Sequence, residues 1–443
     1  MKSYAARRAA LMAQMLEKGG GVAIIPTAPE VMRNRDADYP YRHDSYFHYL
    51  SGFTEPEAVI VLVAGKTRQA ILFCREKNTE REIWEGYRHG PDAARETFGF
   101  DAAYPISAID TEVPKLMADA PALFYALGSD SRLDEQVQDW LKTVRLQTRA
   151  GVAAPSTAHD VHVLLDEMRL FKDADEIAIM KRSADIAAGA HRRAMQAARP
   201  GLREYHLEAE LLHEFRRHGS QFPAYGSIVA TGANACVLHY RASEAEIRDG
   251  DLILIDAGCE LDSYASDITR TFPANGKFSG PQKMLYELVL AAQAAAIADT
   301  RPGKRFTDGH DAAVRVLAQG MLDTGLLDAN KVGSLDDVIE KGAYRQFYMH
   351  RTGHWLGMDV HDVGDYREKS EAGEERAWRT LQPGMVLTIE PGIYVRPEPG
   401  VPEQFWNIGI RIEDDAVVTE NGCEIITEAA PKSVADIEAI MKH

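Results

Sequence analysis

The sequence predicts two domains of different class: an α/β domain with a mixed sheet at the N-terminus and a larger domain in which long helices alternate with hairpin-like strand pairs. Three observations predict this. The chain has 443 residues, more than one ordinary domain uses. The first third alternates short apolar runs with amphipathic stretches, the pattern of an α/β layer. Beyond residue 166 the helices lengthen, and the strands come in pairs that end in carboxylates. The boundaries that follow are 1–165 for the first domain and 166–443 for the second.

The opening segment MKSYAARRAALMAQMLEKGG has helical periodicity and carries Glu17. It has no apolar run of the kind that drives secretion and is not free of acids like an organellar leader, so it reads as an ordinary first helix. Val22 to Ile25, Ala58 to Val63, Ala70 to Phe73 and Ala122 to Ala126 are the buried-strand candidates, with helices near 92–97 and 133–144 between them. The small and polar stretch 150–165, with Pro155 inside it, marks the domain connection. Asp173 followed by Glu176 forms a capping box for a helix reaching about Ala198, ahead of the ArgProGly at 199–201. Helices over 204–217, 282–298 and 307–324 follow. The strands of the second domain are 252–256, 268–272, 386–390 and 409–413.

Composition narrows the function. Hydrophobic residues at 45% and charged residues at 26% are ordinary for a folded soluble chain. A net charge of -17 repels phosphate backbones and anionic bilayers, which argues against nucleic-acid and membrane partners. Four cysteines, none in a CxxC spacing, favour a reducing compartment over a disulfide framework or a thiolate zinc site. No apolar run approaches the length of a membrane span. The expected location is the cytoplasm.

The chemistry lies at the strand ends. The strand LILID finishes in Asp256, and the next begins at Asp267. VLTIE ends in Glu390 and GIRIE in Glu413. A single strand-end acid is commonly a solvated turn residue. Four of them beside apolar strands would each pay for burial and would repel one another, and divalent cations relieve both costs. HRTGHWLGMDVHD adds His350, His354 and His361 within twelve residues, with Gly353 and Gly357 permitting close backbone approach. A ligand set of imidazole and carboxylate without thiolate suits manganese, with cobalt or zinc as substitutes. So many acids exceed what one ion needs, which points to two metals, a pair that generates hydroxide at neutral pH.

The segments LILIDAG and SDITRTF, then HRTGHWLG with a following HD, then TIEPG and GIRIEDD, resemble in order and spacing the aminopeptidase P, prolidase and creatinase family, the pita-bread metallopeptidases. The stretch YPYRHDSYFHYLSGFTEPEAVIVL resembles the non-catalytic domain of the aminopeptidase P branch, so the resemblance covers nearly the whole chain. It implies an α/β N-terminal domain, an α+β C-terminal pita-bread domain with a curved antiparallel sheet, and a homodimer or homotetramer. It implies five metal ligands: Asp256 on one metal, Asp267 and Glu413 bridging, and His354 and Glu390 on the other. It also implies catalytic or substrate-binding roles for His239, His350 and His361, and hydrogen-bonded support from Tyr394 and Arg411. Trp84 and Arg149 lie where the branch draws substrate contacts from its N-terminal domain. One position departs from the pattern: Ser243 stands where relatives often carry asparagine.

The activity implied is release of the N-terminal residue from peptides with proline second. The bond before proline is a tertiary amide without an N–H, so a dedicated site must accept the ring and protonate a secondary amine. On this reading a metal-bridging hydroxide attacks, Glu390 is the general base, and His361 and His350 stabilise the oxyanion. The nearest alternative is a prolidase confined to Xaa-Pro dipeptides, with organophosphate hydrolysis as a side activity. A creatinase-like amidinohydrolase and a metal-free binding protein of the same fold are disfavoured by the intact ligand set.

Overall fold

The computed structural model describes residues 4–241, 244–369 and 375–442 of the chain. Ser243 lies outside the described residues. The chain divides into two compact units, Met1–Met168 and Arg169–His443.

In the first unit, helix α1 (Tyr4–Glu17) precedes a six-stranded sheet. Its strands are β1 (Gly21–Pro26), β2 (Val59–Ala64), β3 (Arg68–Cys74), β4 (Ala102–Pro105), β5 (Ala122–Phe124) and β6 (Thr157–His159), in the order β4-β3-β2-β1-β5-β6. The sheet is mixed: β1–β2 and β2–β3 are antiparallel, while β3–β4, β1–β5 and β5–β6 are parallel. The near-continuous burial of β1 and β2 matches their unbroken Val/Ile/Leu runs, as expected of strands covered on both faces. Helix α2 (Ser131–Arg145) presents Leu133, Val137, Trp140 and Val144 to this core at helical spacing. Within the stretch read as the domain connection, Thr157–His159 forms the outermost strand, and helix α3 (His162–Leu170) runs across the division. A polar three-residue edge strand needs no apolar signature, so periodicity does not reveal it.

In the second unit, α4 (Ala174–Ala197) starts at the expected capping box: Asp173 accepts from the Glu176 amide, and the Glu176 side chain accepts from the Asp173 amide. Helices α5 (Glu204–Arg217), α6 (Gly280–Asp299) and α7 (Asp308–Asp323) lie within two residues of their sequence-derived spans. The strands form short antiparallel sheets: β7 (Ile228–Thr231), β8 (Leu252–Asp256) and β9 (Thr269–Pro273) in the order β7-β8-β9; β10 (Val386–Ile389) with β13 (Asp414–Thr419) and β14 (Gly422–Ile425); and β11 (Gly392–Val395) with β12 (Ile408–Arg411). An isolated bridge between Thr269 and Glu413 ties the first of these to the segment joining β12 and β13. One apolar core, running from Leu170 to Met441, packs the helices against these strands.

Two glycines let the histidine segment lie against the sheet. A Cβ on Gly353 would stand 2.0 Å from the Thr388 carbonyl oxygen, and one on Gly357 would stand 2.1 Å from an Asp362 carboxylate oxygen. No larger residue fits at either position. All four cysteines are free thiols. Among the described residues no helix is long and apolar enough to cross a membrane.

Candidate metal centre

The strand-end acids converge. Asp256 closes β8, Asp267 stands two residues before β9, Glu390 follows β10, and Glu413 sits between β12 and β13. With His354 they line one cavity of about 770 Å³ in the second unit, together with His239, His350, His361, Arg351 and Arg411. Asp267, His354 and Glu413 each offer a ligand atom within 4.8 Å of the others. His354 Nε2 lies 3.5 Å from Asp267 Oδ2 and 3.8 Å from Glu390 Oε1.

Hydrogen bonds to the backbone hold each group. The His354 amide donates to Thr388 Oγ1 at 3.1 Å, and its Nδ1 donates to the Trp355 carbonyl at 2.9 Å. That directs Nε2 at the acids, where it carries a proton in the metal-free protein and would offer a metal its lone pair once that proton is displaced. The Glu390 amide donates to the Thr352 carbonyl at 2.7 Å, the Glu413 amide to the Thr269 carbonyl at 3.0 Å, and the Asp267 amide to Asp415 Oδ2 at 3.0 Å. Thr269 Oγ1 donates to Glu413 Oε2 at 2.6 Å.

The electrostatics are those of an anion cluster short of cations. Burial, reinforced by neighbouring carboxylates, raises Asp267, pushes Glu390 up to about 7 and pushes Glu413 well above the ordinary glutamate range. Burial opposes a charge on His354, yet its contacts with Asp267 and Glu390 prevail and hold it at about 9. The Tyr225 hydroxyl is 2.6 Å from Asp256 Oδ1 and also contacts Asp267 Oδ1. One hydroxyl proton thus serves two carboxylates. The residues fit divalent metal: four convergent acids and one correctly presented imidazole are a hard-cation ligand set that protons and one phenol satisfy only in part.

Around the acids, Arg411 donates through Nη2 to Asp256 Oδ2 at 2.6 Å, through Nη1 to Tyr394 Oη at 3.0 Å and through Nε to Thr269 Oγ1 at 3.2 Å. Tyr394 Oη lies 2.9 Å from His350 Nε2, and His350 Nδ1 donates to the Arg351 carbonyl at 2.7 Å. Both ring nitrogens of His350 are therefore engaged, and burial holds the ring neutral with a pKa near 3. His361 instead stacks on His354, with ring centroids 4.0 Å apart, and burial lowers its pKa to about 4. No hydrogen bond among the described residues ties up the His361 ring or that of His239, so both imidazoles are free to meet a ligand. Trp84, 85% exposed on the short helix Thr79–Glu85, and Arg149, exposed in the turn Thr148–Ala150, belong to the first unit.

Tyr225 had no signal in the sequence and is recruited by the fold, while Thr388 and Asp415 lie within the TIEPG and GIRIEDD segments but carried no role. Asp362 was visible within VHD but carried no role. It accepts from Arg169 at 2.7 Å and from Lys172 at 2.9 Å, a buried ion cluster that anchors the chain immediately after His361.

Residues 178–420 match the model of metallopeptidase family M24, and residues 4–125 match the aminopeptidase P N-terminal domain. A Xaa-Pro aminopeptidase of Escherichia coli K12 is 45% identical over 99% of this chain and 97% of its own length. The solved aminopeptidase PepP of Pseudomonas aeruginosa superposes with a TM-score of 0.94 at 52% identity, covering 99% of this chain and 97% of that one. A zinc-substituted E. coli aminopeptidase P in complex with product gives a TM-score of 0.94 at 44% identity, over 99% of this chain and 98% of that one.

Proposed function

The chain belongs to metallopeptidase family M24, with the pita-bread architecture of an α/β N-terminal domain and an α+β C-terminal domain whose antiparallel sheet is curved, and from that premise we propose that it is a metal-dependent aminopeptidase releasing the N-terminal residue from peptides with proline second. The observation that carries this reading is the convergence of Asp256, Asp267, His354, Glu390 and Glu413 in one cavity beside a free imidazole. These five side chains hold two divalent ions, with manganese the best match to the donors and cobalt or zinc as substitutes. The metals, when bound, supply an activated water at neutral pH and charge stabilisation during hydrolysis.

The protein's own groups do the rest. Glu390, buried among the acids of the cavity, takes the proton of the attacking water and returns it to the proline nitrogen as the C–N bond breaks. His361 donates to the carbonyl oxygen as negative charge builds there. Arg411 fixes Asp256 and the Tyr394 hydroxyl, and Tyr394 holds His350 at the cavity wall, where His350 shapes the approach of the substrate carbonyl. His239 borders the proline ring and assists the leaving amine. The substrate's free N-terminal amine binds beside the metals and the acidic cluster, which restricts cleavage to the N-terminal residue. A homodimer or homotetramer in the cytoplasm completes the reading.

The test is hydrolysis of Ala-Pro-Ala by chelated and by metal-reconstituted protein. Activity should vanish on chelation and return best with manganese. Full activity in protein shown to be metal-free by elemental analysis would refute the reading.

A further inference from the structure

The catalytic cavity is lined by the acids and also by three guanidinium side chains, Arg241, Arg351 and Arg411. Arg411 is buried and committed to Asp256 at 2.6 Å. Arg241 and Arg351 are exposed, and neither forms an ion pair among the described residues. In a chain of net charge -17, two guanidiniums without an ion-pair partner in the cavity that gathers the acids are a local positive feature.

Both follow candidate substrate-contacting histidines: Arg241 is two residues after His239, and Arg351 directly follows His350. Arg351 is the better fixed. Its guanidinium carbon lies 4.8 Å from the Trp378 ring centroid, and its carbonyl accepts from His350 Nδ1. It also borders a neighbouring cavity of about 570 Å³ that shares His350 and Gly353 with the first, so its head stands on the partition between two open spaces. Stacking on an aromatic face preorganises a guanidinium and leaves its in-plane N–H donors free for a carboxylate.

We propose that Arg351, assisted by Arg241, forms a subsite for the carboxylate of the residue after proline, making short Xaa-Pro-Xaa peptides with a free C-terminus the preferred substrates. The inference rests on the proline-directed aminopeptidase reading and adds the substrate class. A zwitterionic tripeptide then matches the cavity at both ends, with its ammonium toward the acids and its carboxylate toward the guanidiniums. A proline-terminated dipeptide places its carboxylate one residue short.

The experiment compares kcat/KM for Ala-Pro-Ala acid, Ala-Pro-Ala amide and Ala-Pro-Glu amide, using metal-loaded wild-type, Arg351→Gln and Arg351→Lys proteins. Wild type should favour the acid over the amide by about fivefold to tenfold, mainly through KM. The preference should shrink toward unity in Arg351→Gln, persist in Arg351→Lys, and fade near ~1 M salt, where screening is short-ranged. Preference for the acid alone assigns the subsite to the C-terminal carboxylate. Equal preference for the glutamyl amide assigns it to carboxylates generally, and both outcomes support a carboxylate subsite at Arg351. Equal rates on acid and amide in wild type, or a preference untouched in Arg351→Gln, overturn the subsite and leave the aminopeptidase reading intact. Failure to cut any of the three overturns both.

Discussion

Lys172 and Asp362 meet inside the second unit from positions 190 apart in sequence, with Nζ 2.9 Å from Oδ2 and both side chains 1% exposed. Arg169 reaches the other carboxylate oxygen at 2.7 Å. Burial disfavours the Asp362 anion, but Lys172 and Arg169 outweigh it and hold its pKa below the ordinary aspartate range. The cluster fixes the backbone one residue after His361. Asp362→Ala leaves Lys172 buried without its carboxylate, while Arg169 keeps Asp359 at 2.7 Å, and should cost about 3–5 kcal/mol of unfolding free energy, read from denaturant melts. Asp362→Asn keeps the shape and should lower kcat more than it raises KM, because His361 loses its alignment. An unchanged kcat in a folded Asn variant would separate Asp362 from the chemistry.

The stacked pair His354 and His361 should divide into metal binding and turnover. His354→Ala removes the only imidazole in the ligand set and should lose metal. Glu413→Ala, which removes a group within ligand distance of Asp267 and His354, should do the same. His361→Ala should retain metal and lose turnover by about 100-fold, the scale of one oxyanion donor. Elemental analysis alongside kcat makes the distinction. Full metal content and near-normal rates in all three variants would dissolve the assignment.

How much of this could be read in advance follows from where each signal lies. The acids Asp256, Glu390 and Glu413 end or follow apolar strands, and His350, His354 and His361 crowd a short glycine-marked segment, so local pattern was enough to gather them. The capping box at Asp173 and Glu176 is likewise local. Tyr225 is different: its partners Asp256 and Asp267 lie 31 and 42 positions away, and nothing around it is unusual. The Asp362 cluster joins the start of the second unit to its histidine segment, a relation only the fold creates. The engaged state of His350 also escapes the sequence, because it depends on Tyr394 arriving from β11. Individual roles came from the family resemblance, not from spacing.

The contribution of the acid cluster to the stability of the metal-free protein should fall as pH rises. Glu390 moves from an ordinary 4.5 to about 7 in the folded chain, and His354 from 6.5 to about 9. A group whose folded pKa is raised contributes stability that is complete below its unfolded pKa and is lost as pH climbs through the folded one. Between about pH 5 and pH 9 both contributions therefore drain away in the apo protein. Bound cations replace the protons, so the metal-loaded form should not show the decline. Thermal melts of chelated and reconstituted protein across this window should give a Tm gap that widens with pH. A gap that stays constant would mean that the cluster is not what the metal stabilises.

Substrate length is the sharpest discriminator between an aminopeptidase acting on longer peptides and a prolidase. A prolidase must close the far end of its cleft with a cation set for the carboxylate of proline itself. Here the buried cation of the cavity, Arg411, is spent on Asp256, and the unpaired ones, Arg241 and Arg351, are exposed rather than sealed inside. An end of that kind admits chain beyond proline. Xaa-Pro-Xaa and longer peptides should accordingly be cut faster than Xaa-Pro dipeptides. Peptides with alanine second should be much slower, because a site shaped for the ring gains nothing from a methyl group. N-acetylated peptides should hardly be cut, because an uncharged amide forfeits the attraction of the acids and cannot occupy the space meant for an ammonium. The comparison is of kcat/KM over these four substrates at one manganese concentration. Exclusive cleavage of the dipeptide would move the chain to the prolidase branch, and efficient cleavage of the acetylated peptide would contradict exopeptidase action altogether.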